Sequence, residues 1–200
     1  MSQVNSAVSQ ANPHWLPAST LGRAIMSVIA GSALLALSAH VSVPLLFTPV
    51  PFTLQPMAVL LLGLLLDPAV AFATLVAYLL EGAAGLPVFA PVAASSGFAL
   101  LGPSAGYLWA YPFAVVIVSK LYRSGHARTF SWAALSAVAG AMVYFTGGAA
   151  WFAVTLHQSI GITLKMTVWP FVAGDALKVV LAAGIVTGIH RLRNRKTAEA

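Results

Sequence analysis

Cysteine is absent from this 200-residue chain, and charge is scarce. Without thiols there is no disulfide framework, no thiolate metal site and no cysteine nucleophile. Charged residues make up 7% of the sequence and hydrophobic ones 60%, whereas soluble domains carry roughly 25% charge. Ten basic and four acidic side chains cannot cover a water-soluble domain of this length, so an ordinary cytosolic enzyme is excluded. The same apolar content excludes disorder. What remains is an integral membrane protein. No glycine-rich phosphate loop with its lysine is present, so ATP hydrolysis by the chain itself is not expected. His40, His157 and His190 show no i, i+4 spacing and form no metal pattern. Neither a metal nor a cofactor is expected.

Apolar runs then set the topology. The polar segment 1–20 lacks the cationic start and apolar stretch of a signal peptide; it reads as a cytosolic tail with Trp15 near the headgroups. Six spans follow: Ala24–Val43, about Thr53–Leu66, Ala69–Ala84, Ala105–Tyr122, Trp132–Leu156 and Trp169–His190. Three prolines between Pro44 and Pro51 forbid a regular helix after the first span. Asp67-Pro68 reads as a helix cap followed by the favoured first-turn proline. The expected fold is thus all-α: a tail over 1–20, a six-helix membrane domain over 21–192 and a basic tail over 193–200.

The basic residues test that count. With a cytosolic N-terminus, Arg23, Lys120, Arg123, Arg128, Arg191, Arg193, Arg195 and Lys196 fall inside and Lys165 alone falls outside. This is the positive-inside distribution, and both termini are expected in the cytosol. The basic tail reads as a headgroup anchor, with no support for nucleic-acid binding.

Only four carboxylates exist, so each can be judged. Glu199 sits in the tail, Asp67 at a turn, and Glu81 near the outer end of the third span. Asp175 lies about six residues into the last span, roughly 9 Å deep at about 1.5 Å per residue. Gly174-Asp175-x2-Lys178 places a carboxylate and an ammonium on one helix face. Charges at such depth are costly and usually face a cavity; the competing reading is an ion pair that only locks helix packing. Two irregular segments lie on the same outer side. One carries Thr48, Phe52, Thr53 and Gln55 among prolines; the other runs Glu81-Gly82-Ala83-Ala84-Gly85-Leu86-Pro87-Val88-Phe89. Their mix of proline with Phe, Leu and Val suits a lid over a cavity. On the first span, Ser27-x3-Gly31 and Ser32-x3-Ala36 permit close helix contact, either within the molecule or as a docking face for another membrane protein. Ala94-Ser95-Ser96-Gly97 is similar to the nucleophile sequence of intramembrane serine proteases, but no helix supplies a matching base.

The chain resembles the BioY family, the biotin-specific S component of energy-coupling factor (ECF) vitamin transporters, from about Leu21 to Leu192. The resemblance rests on Pro49-Val50-Pro51-Phe52-Thr53-Leu54-Gln55, Gly82-x2-Gly85-Leu86-Pro87-Val88-Phe89, Leu101-Gly102-Pro103-Ser104-Ala105-Gly106-Tyr107 and Gly174-Asp175-x2-Lys178, in that order. Asp67-Pro68 and Ser104-Ala105 depart from the family's usual Gly-rich turn and Thr-Gly. The resemblance implies an S-component bundle in a prokaryotic plasma membrane that captures biotin from the outer face. It also implies a transmembrane T component and two cytosolic ATPases as partners. Biotin would be cargo, with Asp175 accepting from the ureido N–H groups and Lys178 meeting either the ureido oxygen or the carboxylate. Phe52, Leu86 and Phe89 would cover the apolar parts, with Glu81, Thr53, Gln55, Gly85 and Gly174 nearby, and Ser27, Gly31, Ser32 and Ala36 would form the docking face. An S component for a different vitamin and a Ser96 hydrolase are the alternatives.

Overall fold

In a computed structural model of the chain, residues 18–91, 99–125 and 129–198 are described, with side chains described between Leu21 and Leu192. Ser96, Trp15, Arg128 and Glu199, and the side chains of Arg193, Arg195 and Lys196, lie outside this set. Seven helices are found among the described residues: α1 (Ala18–His40), α2 (Gln55–Leu65), α3 (Pro68–Ala83), α4 (Ala105–Ser124), α5 (Phe130–Thr155), α6 (Ile160–Thr167) and α7 (Trp169–Ala198). Three stretches, Leu21–His40, Phe130–Thr155 and Trp169–Leu192, are long and apolar enough to cross a membrane.

α2, 11 residues long, is the central element. Its residues Ala58, Val59, Leu60, Leu62 and Leu64 are buried, and α1, α4, α5 and α7 all pack on it. A helix apolar all round belongs inside a bundle. α4 and α5 form the tightest pair because small residues meet there. A Cβ on Gly106 would strike Trp151 and the Gly147 carbonyl, and one on Gly140 would strike Val118. With lipid on the outside, such close backbone approach is what holds membrane helices together. The outward sides remain apolar: Ile25, Met26, Ile29 and Leu37 on α1, Phe113 on α4 and Met142 on α5 are exposed.

Three local readings are refined. The proline-rich segment after α1 contains a two-residue antiparallel pairing, β1 (Ser42–Val43) with β2 (Phe52–Thr53), with Ser42 opposite Thr53. The loop prolines flank this pairing, where no ladder N–H is lost. Second, Asp67 is the N-cap residue of α3 but makes no side-chain cap bond; its carboxylate instead meets Arg123 Nη2 at 3.2 Å. Third, an unforeseen short helix, α6, precedes α7. Ser159 caps it, accepting from the Ile162 amide, but eight residues with an exposed lysine carry too little periodicity to register as an element.

Candidate functional site

The first turns of α2 and α4, the start of α7 and the two irregular segments converge on one end of the bundle. Between them lies a small, partly enclosed cavity. Val50, Pro51 and Thr53 wall it from the first segment, Gln55 and Pro56 from α2, Phe89 and Ala90 from the second segment. α4 supplies Tyr107, Leu108 and Tyr111, with Ser104 just before its first turn, α5 supplies Phe145, and α7 supplies Phe171, Asp175 and Lys178.

Glycines let the covering segments close. Gly85 has φ +92°, a left-handed conformation that glycine adopts without strain, and it turns the chain back after α3. The Leu86 amide then bonds the Glu81 carbonyl at 3.1 Å. Phe89 consequently lies over Gly82, where any Cβ would overlap its ring, and meets Tyr78 edge-on at 5.2 Å. Tyr78 ties the cover down: its hydroxyl donates to the Val88 carbonyl at 2.9 Å and accepts from Gln55 Nε2 at 2.7 Å. On the other side, Thr48 Oγ1 donates to the Met166 carbonyl at 2.8 Å, joining the proline-rich segment to α6. Tyr107 donates to the Thr167 carbonyl, fixing the same end of α6 from α4.

The polar centre is Asp175 with Lys178, each 4% exposed. Lys178 Nζ lies 2.6 Å from Asp175 Oδ1, and the Tyr144 hydroxyl donates to Oδ2 at 2.8 Å. Tyr144 is itself fully buried, with Tyr111 edge-on at 5.8 Å. Phe52 caps the ammonium, which lies 4.0 Å from its ring centroid, a cation–π geometry. Phe52 also stacks on Phe171, centroids 6.1 Å apart. Gly174 makes room for this ring, since a Cβ there would collide with Phe52. An ammonium has three donors and a carboxylate about four acceptor positions. Among the described residues Lys178 bonds only Asp175 Oδ1, and Asp175 accepts only two bonds. Donors and acceptors are therefore left over, side by side, on an otherwise apolar wall. This arrangement can both donate to and accept from a polar group held in the cavity.

Of the residues singled out from sequence, Asp175, Lys178, Thr53, Gln55 and Phe89 line the cavity. Phe52 and Gly174 stand behind it as the cap of Lys178. Glu81, Gly85 and Leu86 are not among its lining residues. Glu81 accepts a hydrogen bond from Ser32, while Gly85 and Leu86 are exposed on the outer turn. On α1, Gly31 and Ser32 face inward: a Cβ on Gly31 would meet Thr74 Cγ2 at 2.6 Å, and Ser32 is bound to Glu81. Ala36 packs against the core, and Ser27 is half-buried. Gly31 and Ser32 thus serve the contact of α1 with α3. Sequence reasoning missed Tyr144, Tyr111, Phe145 and Phe171. Two signals were available: Tyr107 and Tyr111 are one turn apart on α4, and Tyr144-Phe145 are bulky residues in an Ala/Gly-rich helix.

A helical bundle with long apolar helices, whose interior holds a covered cavity and a buried ion pair, defines an integral membrane protein with an internal small-molecule pocket. The BioY family model matches residues 9–195, and the chain belongs to that family. It is 32% identical over 161 residues to the biotin transporter BioY of Thermotoga maritima, covering 80% of this chain and 92% of that one. It is 35% identical over 151 residues to the probable biotin transporter BioY of Pyrococcus horikoshii, covering 75% and 85%. The fold matches the crystal structure of an S component for biotin from an ECF-type ABC transporter, with a TM-score of 0.79. That match covers 88% of this chain and 95% of that one at 22% identity.

Proposed function

We propose that this protein is a biotin-uptake S component: it captures biotin in the cavity beneath the two covering segments and hands it to an ECF energising module. The observation that carries the proposal is the Asp175–Lys178 pair, buried yet opening on a cavity. A buried pair with no ligand role gives little net stability over an apolar replacement. Here its spare acceptors and donors match a ureido ring, which offers two N–H groups and a carbonyl. Tyr107, Tyr111, Phe145 and Phe171 suit the thiophane ring and valeryl chain, and Thr53, Gln55 or Ser104 can meet the carboxylate end.

In this reading α1, α2, α3, α4, α5 and α7 make six crossings, and α6 lies at the outer surface with Lys165. Both termini are cytosolic, and the covered cavity faces outward in a prokaryotic plasma membrane. A T component and two cytosolic ATPases supply the energy. Since the inward packing of Gly31 and Ser32 occupies much of the small-residue stripe, a docking role for α1 falls to its exposed side, near Ile25, Ile29 and Leu37. Two measurements test the proposal. Purified protein should bind biotin, and not thiamin or riboflavin, in an isothermal titration; binding of another vitamin in its place would overturn the substrate. A C-terminal reporter should be active only in the cytosol; activity only outside would overturn the topology.

A further inference from the structure

Gln55 carries an amide at the first turn of α2, 4% exposed and on the wall of the cavity. The two ends of that amide are not equivalent. Nε2 lies 2.7 Å from the Tyr78 hydroxyl, and the hydroxyl lies 2.9 Å from the Val88 carbonyl. A tyrosine hydroxyl has one proton, and a carbonyl can only accept. The proton therefore goes to Val88, and the Tyr78 oxygen can only accept from Gln55. Turning the amide over would leave one of the two carbonyl oxygens facing lone pairs at hydrogen-bond distance. Tyr78 itself does not line the cavity. It is fully buried, with Phe89 edge-on at 5.2 Å, so it is a fixed reference for the amide.

The other end of the amide is free. Gln55 Oε1 accepts no hydrogen bond among the described residues and is not sealed from solvent-sized probes, so it opens on the cavity that Gln55 lines. The hydroxyls on the same wall, those of Thr53, Ser104 and Tyr111, can turn to donate or to accept. The Gln55 oxygen can only accept, and a carboxylate set against it would be repelled. A cyclic ureido group holds its carbonyl between two N–H groups that point to opposite sides. Asp175 and Lys178, 2.6 Å apart, can serve the carbonyl and the N–H beside it. The far N–H then needs an acceptor from another element, and α2, which packs on α7, brings one.

We infer that Tyr78 is a positioning residue for biotin: it holds Gln55 so that Oε1 accepts from the ureido N–H that Asp175 does not reach. This rests on the biotin reading above and deepens it. The carboxylate end is left to Thr53 and Ser104, and the cover, through its Val88 carbonyl, sets the direction of the acceptor.

The test is isothermal titration of biotin into full-length wild type, Tyr78→Phe, Gln55→Met and the double variant. Tyr78→Phe should weaken binding about tenfold where Gln55 is present, the size of one neutral hydrogen bond. In the Gln55→Met background the same change should cost about threefold or less, the remainder being the lost tie to the cover. A crystal structure of wild type with biotin should place a ureido nitrogen about 3 Å from Gln55 Oε1. No loss in Tyr78→Phe, or an equal loss in both backgrounds, overturns the positioning role. A biotin carboxylate against the Gln55 side chain overturns it too. If wild type binds no biotin, the biotin reading falls and this inference with it; biotin binding with equal losses overturns this inference alone. The wild-type complex decides the matter even if a variant fails to fold.

Discussion

Asp67 and Asp175 are both carboxylates paired with a basic side chain, at opposite ends of the bundle, and their surroundings separate them. Asp67 sits at the turn between α2 and α3, its side chain 75% exposed, 3.2 Å from Arg123 Nη2. Arg123 has other work there: Nη2 donates to the Leu65 carbonyl at 3.3 Å, and Nε to Ser119 Oγ at 3.3 Å. Ser119 in turn donates to the Leu66 carbonyl at 2.6 Å. That pair staples α4 to the end of α2, where water can stand in for either partner. At the other end, the side chains of Asp175 and Lys178 are both 5% exposed and 2.6 Å apart, with Tyr144 and Phe52 completing their surroundings. Burial makes each charge depend on the other. The difference teaches that an ion pair at a turn staples two helices at the surface, whereas one sunk beside a cavity leaves unused donors and acceptors facing that cavity.

The largest expected effect comes from leaving one of these charges alone. Asp175→Ala strands Lys178 in a buried site; removing one partner of such a pair typically costs about 2–5 kcal/mol, or roughly 30- to 4,000-fold in biotin affinity. Isothermal titration should show this, with Asp175→Asn at least about tenfold milder because the amide keeps an acceptor. Next is Tyr144→Phe. It deletes only the donor to Asp175 Oδ2, and hydrogen bonds to charged groups are worth about 1.5–3 kcal/mol. Biotin affinity should fall by roughly 10- to 150-fold while the helical circular-dichroism signal stays unchanged.

Gly174→Ala probes the packing beneath the pair, since the added Cβ must displace Phe52 from over Lys178. Overpacking of this kind costs about 1–3 kcal/mol, and a matching Phe52→Leu change should restore part of the lost affinity. The smallest effect belongs to the exposed pair. Asp67→Asn should lower stability by no more than about 1 kcal/mol, less again in high salt, which screens exposed charges. A thermal melt measures this, and biotin affinity should stay within about twofold of wild type. A loss in Asp67→Asn comparable to that in Asp175→Ala would erase the distinction between the two ends.

Asp175 and Lys178 were legible from sequence because charge inside an apolar run is rare and the spacing puts both on one helix face. The two covering segments were legible because proline and glycine interrupt apolar sequence there. Glu81, at the outer end of the third span, was placed near the ligand by the family resemblance, and it is not among the cavity-lining residues. Its partner, Ser32, comes from a helix 49 positions away, and no local pattern announces such a contact. Tyr144 was hidden for the same reason, being 31 positions from the carboxylate it serves. The small residues of α1 fitted both docking and internal packing, because spacing alone does not say which helix fills the gap; Thr74 and Leu62 do so at Gly31. α2 is only 11 residues long, and its central place follows from the helices around it, not from its own composition.

The most direct test of the ligand role of the buried pair is the double variant Asp175→Asn with Lys178→Gln. With no lone charge left, the bundle should fold and melt close to wild type, because a neutral polar pair can replace a buried ionic one without the penalty of an unpaired ion. Biotin binding, measured by isothermal titration on that folded protein, should remain weakened by at least about 30-fold, roughly 2 kcal/mol. Binding within about twofold of wild type, a margin of only ~0.4 kcal/mol, would make the pair a packing device and move the biotin site elsewhere.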